Sequence, residues 1–314
     1  MFLACGDALF DMFARGGGEP GAITLDGRIG GSPLNVAMGL ARLGGKTAYF
    51  TKISTDLFGE RMMAHLASEG IDTSLCLRSA QNSTLAMVAL NEAGVPAYAF
   101  YVNGTADRSI EATELPVLPD ALQCIHIGSY TTATEPTASS LVALVKREAA
   151  KRFISYDPNV RLAIEPEPQV WRDRLASLVG TAHLLKASDE DLELLYPGVS
   201  HETLAKGWIA QGVRLAVITR GSEGAIAWSA GGAVAEVSVR KVEVVDTVGA
   251  GDTFQAALLT GLARNGRLSP DAAANLNKTQ LTALLDFAAA AAAVTCSRRG
   301  ADLPRATDVS FPAL

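Results

Sequence analysis

Five short apolar runs, Thr47–Lys52, Cys124–Gly128, Phe153–Asp157, His183–Lys186 and Leu215–Thr219, recur along the chain with helical patterns between them. A strand, a helix and a second strand in the same direction form a parallel pair with a crossover. Repetition of that unit leaves little choice other than a parallel sheet covered on both faces. The predicted fold is α/β, a doubly wound, mainly parallel sheet flanked by helices. Helix ends are legible too: Ser32 reads as an N-cap, Pro33 as the first helical position and Gly44 as the residue just past the last turn.

One stretch departs from the alternation. Thr84–Asn91 and Val95–Val102 are β-rich runs joined by Glu92-Ala-Gly94, which predicts a hairpin, and residues near Phe10–Ile29 can join it in a small separate sheet. The glycines and proline of Gly16–Gly21 read as a turn cluster. With no repeat, linker or long charge run, the 314 residues read as a single domain over 1–314.

Charge and cysteine usage narrow the partners. A net charge of −6 and no Lys/Arg cluster argue against nucleic acid or an anionic membrane and for a small molecule. Met1–Asp7 meets acidic residues too early for a leader and reads as a first strand, while the alanine-rich Phe287–Val294 is too short to span a membrane. Cys5, Cys76, Cys124 and Cys296 are scattered without a CxxC pair, which indicates reduced thiols and a cytoplasmic protein.

The strongest chemical signal is Val242–Val245, read as an apolar strand, then Asp246-Thr-Val-Gly249-Ala250-Gly251-Asp252 and a helix carrying Phe254, Leu258 and Leu262. Glycines between strand and helix let backbone N–H groups converge on an anion at the positive end of the helix. A carboxylate there would repel phosphate, so Asp252 reads as a base that takes a proton from an attacking hydroxyl. The plainer alternative is a helix N-cap. Neither the dinucleotide fingerprint nor the P-loop is met, because Phe254 occupies the third glycine position and no Gly-Lys-Ser/Thr follows.

Three further features allow two readings each. Asp7, Asp11 and Gly30-Gly31-Ser-Pro-Leu-Asn35 offer a close backbone approach, carboxylates and an amide to sugar hydroxyls, or merely a turn and a capped helix. Thr219-Arg-Gly221-Ser-Glu-Gly224 can meet a nucleotide or simply turn a hairpin. Lys186-Ala-Ser188-Asp-Glu-Asp191 lies at a strand C-terminus, where ligands of open α/β sheets gather, yet Ser188 and Asp191 also make a capping box.

Together these residues resemble the ribokinase-like (PfkB) carbohydrate kinases along nearly the whole chain. Gly30-Gly31-x-x-x-Asn35-Val-Ala with Leu40-Ala-x-Leu-Gly44 is similar to that family's N-terminal signature, and Asp246-Thr-x-Gly-Ala-Gly-Asp252-Thr-Phe to its C-terminal one. Asp157-Pro-Asn159-x-Arg161 and Lys186-x-Ser188 resemble the bacterial fructokinase branch. The resemblance implies a ribokinase-like domain with a small β-sheet lid from about 9–29 and 84–107, and a homodimer formed through that lid. It implies that Asp11, Gly31 and Asn35, with Arg161, and Tyr101 or Asn103 from the lid, hold the sugar. Lys186, Thr219, Gly221 and Gly224 would line the ATP site, and the backbone of Gly249, Ala250 and Gly251 would bind the transferring phosphate. Mg²⁺ would accompany the nucleotide, and a monovalent cation such as K⁺ would sit by Asp246, Val248, Arg298 and Gly300. Two positions depart from the family: Ser188-Asp-Glu-Asp191 replaces its usual Asn-x-x-Glu, and Asn103–Arg108 ends the lid strand differently.

The implied reaction is attack of a sugar hydroxyl on the ATP γ-phosphate with Asp252 as base. No Lys or Arg occurs in Asn82–Asp107, so a neutral sugar is favoured, fructose first. Ribose, 2-keto-3-deoxygluconate and a nucleoside are the rival acceptors. A non-catalytic sugar or nucleotide sensor is the rival class, and it has no need of the base.

Overall fold

The computed structural model describes residues 1–15, 19, 21–90 and 96–314. Among them the main sheet has eight strands in the order Val234–Val237, Ala225–Ser229, Leu215–Thr219, Leu184–Ser188, Phe153–Asp157, Cys124–Gly128, Phe2–Cys5 and Thr47–Phe50. All pair in parallel except the first two, which return antiparallel from Leu215–Thr219. Alternation along each strand sends neighbours to opposite faces. Thus Phe2, Cys124, Phe153 and Leu184 pack with the helices Ser32–Arg42, Ala250–Arg264 and Lys278–Cys296. Leu3, Ile125, Ile154 and Leu185 pack with Thr137–Glu148, Pro168–Val179 and His201–Ala210 on the other face. Both faces are buried, as the repeated apolar runs predict.

The second sheet has the order Thr24–Gly30, Leu9–Arg15, Thr84–Leu90, Pro96–Tyr101. The expected hairpin is present, with Thr84–Leu90 antiparallel to Pro96–Tyr101, whereas its connection Glu92–Gly94 and residues 16–18 and 20 of the glycine cluster lie outside the described residues. Leu9–Arg15 joins the hairpin in parallel. Where this sheet meets the main one, buried Asp107 accepts hydrogen bonds from Thr84 (2.7 Å), Thr105 (2.9 Å) and the Tyr130 hydroxyl.

Three sequence readings need correction. Val242–Val245 is irregular rather than a strand, and Val244 and Val245 are about 60% exposed, because these residues run outside the sheet; the Val245 N–H bonds to the Cys296 carbonyl. The run Thr47–Lys52 splits, and Lys52–Ser54 pairs instead with Leu77–Ser79. Ser32 is not an N-cap: the cap is Gly31 at φ +113°, and the helix begins at Ser32. The 19-residue helix Lys278–Cys296 is long and apolar enough to cross a membrane, but half of its apolar window is buried in this core, where Leu281, Leu284 and Leu285 pack. All four cysteines are free.

Candidate active site

The chemistry-bearing residues collect at the C-terminal ends of the parallel strands, where the chain leaves the sheet and backbone groups are free to meet a ligand. Gly249, at φ +78° in the left-handed region, ends the incoming loop and starts the helix Ala250–Arg264. An α-helix leaves its first-turn N–H groups without intrahelical acceptors. Ala250 N–H uses the Thr247 carbonyl at 3.2 Å; the amides of Gly251 and Asp252 belong to that same open turn. A β-carbon on Gly251 would come within 3.2 Å of the Lys186 ammonium, so the glycine keeps the turn low over a cation. The arrangement is an anion cradle with a buried positive charge beneath it.

Asp252 is the third residue of this helix and is 7% exposed. Its carboxylate does not cap the helix. Ser32 Oγ donates to Oδ1 at 2.6 Å and Asn35 Nδ2 donates to Oδ2 at 2.8 Å, both from the first turn of the helix Ser32–Arg42. Burial raises the Asp252 pKa from its ordinary value; the two donors and the charges of Lys186 and Arg161 pull it back. A buried carboxylate between two helix N-termini, held by two donors, can take a proton from a hydroxyl placed beside it.

Lys186 is buried and donates to Asp157 Oδ2 at 2.7 Å, so its charge is shared with the cradle and Asp157 rather than offered to an open nucleotide groove. Burial pulls the ammonium down, but Asp157, with Asp191 and Asp252, outweighs it and leaves the pKa above that of an ordinary lysine. Burial likewise pushes Asp157 up to about 6 against the pull of Lys186. Asp191 makes the capping box with Ser188, and its second oxygen accepts from Val160 N–H at 2.8 Å. It thereby holds the turn at Asn159, φ +41°, that leads to Arg161.

Asp11 stands on the small-sheet strand Leu9–Arg15, directly opposite Ala86 and Arg28. Burial raises its pKa to about 6, the charge of Arg161 lowers it and that of Asp252 raises it. Gly31 immediately precedes Ser32, whose hydroxyl reaches Asp252, and a β-carbon on Gly31 would meet the Asp7 carbonyl oxygen at 2.5 Å. Asp7 itself is interior, not a sugar ligand. Its Oδ2 accepts from Ser32 N–H at 3.2 Å, its Oδ1 from Thr131 Oγ1 at 3.2 Å and its carbonyl from Tyr49 at 2.6 Å.

Tyr101 is not brought to Asp11. It pairs with Leu85, whose side chain packs with Phe10 on the opposite face, and it is 63% exposed. Phe100 pairs with Ala86 and shares Asp11's face, packing toward Val160 and Leu162. Strand alternation in Pro96–Tyr101 is the signal that distinguishes the two aromatic residues. Asn103 is exposed and accepts from Arg108 at 3.5 Å.

Thr219 ends its strand, and its hydroxyl lies 3.5 Å from the Ala187 carbonyl. Gly221 and Gly224 have left-handed φ values of +48° and +92°, and Gly224 passes directly against the Val237 carbonyl, so the hairpin itself requires them. Asp246 accepts from Val248 N–H at 3.0 Å and Gly300 N–H at 2.8 Å, which brings those segments together. The Arg298 side chain points elsewhere, to Asp302 and Asp308. Ser32, which sequence reading treated as a cap, is the residue missed at this site.

Comparison with known proteins agrees over almost the whole length. The model of the pfkB family of carbohydrate kinases matches residues 22–308. A fructokinase of Rhizobium leguminosarum bv. trifolii is 38% identical over 283 residues, covering 90% of this chain and 85% of the relative. A fructokinase from Xylella fastidiosa, solved with bound ATP, superposes with a TM-score of 0.84 at 25% identity over 99% of this chain and 95% of its own. A double mutant of the Vibrio cholerae O395 fructokinase, holding fructose, ADP and potassium ion, superposes with a TM-score of 0.80 at 27% identity, over 96% and 93% of the two chains.

Proposed function

The chain belongs to the pfkB family of carbohydrate kinases, and from that premise we propose that it phosphorylates fructose with ATP, using Asp252 as the base. The observation that carries the reading is the Asp252 carboxylate, buried at a glycine-rich helix N-terminus and held at both oxygens. The sugar hydroxyl gives its proton to Asp252 as its oxygen bonds to the γ-phosphorus, and the bond to the ADP oxygen breaks. Amides of Gly249–Gly251 stabilise the charge on the phosphoryl oxygens, aided by the nearby Lys186 ammonium.

Asp11, Gly31 and Asn35 hold the sugar with Arg161, and Phe100 replaces Tyr101 as the residue from the small sheet. That sheet acts as a lid on a single domain and excludes water that would compete as acceptor. Thr219, Gly221 and Gly224 line the far end of the ATP site. Fructose is preferred to a phosphorylated sugar because the small-sheet cation nearest Asp11, Arg28, is paired with Asp26 at 3.3 Å. The fructokinase relatives support the same acceptor.

No group of three or more His, Cys, Asp and Glu able to hold a metal occurs among the described residues. Mg²⁺ bound to the nucleotide phosphates, in keeping with its preference for retained water and phosphate oxygens, would neutralise their charge. Asp246 draws the segments of Val248 and Gly300 together, and carbonyls at Val248, Arg298 and Gly300 would hold a monovalent cation there. Its chemistry would be electrostatic support of the cradle. The exposed Tyr101 face supports a homodimer through the small sheet, and the four free cysteines support a cytoplasmic location.

ADP release measured with fructose, ribose, 2-keto-3-deoxygluconate, adenosine and fructose 6-phosphate tests the proposal. Fructose should give a kcat/KM at least about tenfold above each of the others. A preference for 2-keto-3-deoxygluconate would reassign Arg161 to its carboxylate, and sugar-independent binding without ADP release would favour a sensor.

A further inference from the structure

Ser32 stands at the junction of three elements: the residues just past the strand Phe2–Cys5, its own helix Ser32–Arg42 and the helix Ala250–Arg264. Its N–H donates to Asp7 Oδ2 at 3.2 Å, just past the strand Phe2–Cys5, and its hydroxyl donates to Asp252 Oδ1 at 2.6 Å across 220 residues of sequence. A serine at a helix start usually turns its oxygen back on its own first turn, but this helix has no side-chain cap. With Gly31 at φ +113° before it and Pro33 after it, the backbone fixes Ser32, and Asp7 takes its N–H. The hydroxyl has one hydrogen, and Asp252 receives it. The 2.6 Å separation is that of a short O–H donor bond to a carboxylate oxygen.

We propose that Ser32 is a positioning residue for the reaction: its hydroxyl fixes the plane of the Asp252 carboxylate and holds it in the ionised form, while Asp7 fixes Ser32. Asn35 bonds only the other carboxylate oxygen, Oδ2, and its amide is the group proposed to hold the acceptor sugar. The charged groups that act on Asp252 from the surrounding elements are Lys186 on the main sheet, Arg161 after Asp157, Asp157 itself and Asp11 on the small sheet. All remain when Ser32 is changed, so removal of the hydroxyl isolates its effect. Loss of a donor to the ionised form raises the pH at which the base becomes protonated.

The inference rests on Asp252 being the base, and the experiment separates the two. The pH dependence of kcat/KM for fructose is measured for the wild type, Ser32→Ala, Ser32→Cys, Ser32→Thr and Asp252→Asn, together with KM for ATP. Ser32→Ala should move the acid limb up by about one pH unit and lower kcat about tenfold, with KM for ATP within about threefold. Ser32→Cys, a poor donor of similar shape, should shift the limb in the same direction and keeps the test available if the alanine variant does not fold. Ser32→Thr should restore the wild-type limb. An unmoved limb in the alanine or cysteine variant, with Asp252→Asn inactive, overturns the role of Ser32 alone. Substantial activity in Asp252→Asn overturns the base and the positioning role with it.

Discussion

Asn35 Nδ2 lies 2.8 Å from Asp252 Oδ2, so the amide assigned to the sugar is already bonded to the base. An asparagine amide has a second N–H and a carbonyl oxygen, and these are the groups a sugar hydroxyl meets. Asn35→Ala removes both connections at once. It should reduce kcat/KM for fructose about 100-fold while changing KM for ATP less than about threefold, as steady-state kinetics with each substrate varied will read.

Asp252→Asn keeps the shape and removes the proton acceptor. Turnover should fall about 1000-fold, while ATP affinity measured by calorimetry stays within several-fold of wild type.

Lys186 and Asp157 form a buried ion pair, 4% and 0% exposed. Removing one partner strands the other, so Lys186→Met should cost about 3–5 kcal/mol in urea unfolding. Adding Asp157→Leu should recover much of that loss, since an apolar pair of similar volume avoids the cost of desolvating charge.

Gly31→Ala should lower stability by about 1–3 kcal/mol in thermal unfolding, because the residue sits at φ +113° and its β-carbon would press on the Asp7 carbonyl.

Asp7 titrates near 7 in the fold because of burial, with Asp107 adding to the effect, against an ordinary value of 3.8. Between these values the folded form holds a proton that the unfolded form has released, so this group's contribution is full below pH 4 and is lost as pH rises through 7. Asp7→Asn should therefore gain stability relative to wild type as pH rises from 4 to 7, by at most about 1.4 kcal/mol per unit of displacement. Parallel urea melts across that range will show a constant difference if Asp7 stays ionised throughout.

The sheet was legible because its strands are buried on both faces and read as continuous apolar runs; Cys124–Gly128, Phe153–Asp157 and Leu215–Thr219 have the bounds that the sequence predicts. Val242–Val245 has the same composition but runs outside the sheet, and composition alone carries no information about a pairing partner. The glycine turn and Asp252 were legible through their order in the chain. The partnership of Ser32 with Asp252 was not, since local pattern makes a serine before proline a cap, whereas its bond partner is 220 residues away. Lys186 itself was legible at its strand end, but its partner was not: only the fold brings Asp157 to take its charge.

The buried carboxylate of Asp107 joins Thr84, which opens one strand of the small sheet, Thr105, which follows another, and Tyr130 of the main body. Inheritance of the small sheet is constrained accordingly. A chimera that took residues 84–101 from a relative would break this junction unless Thr105, Asp107 and Tyr130 travelled with them. Diversification of acceptor preference in such a chain is therefore easiest on the faces of those strands, where side chains change without disturbing their roots.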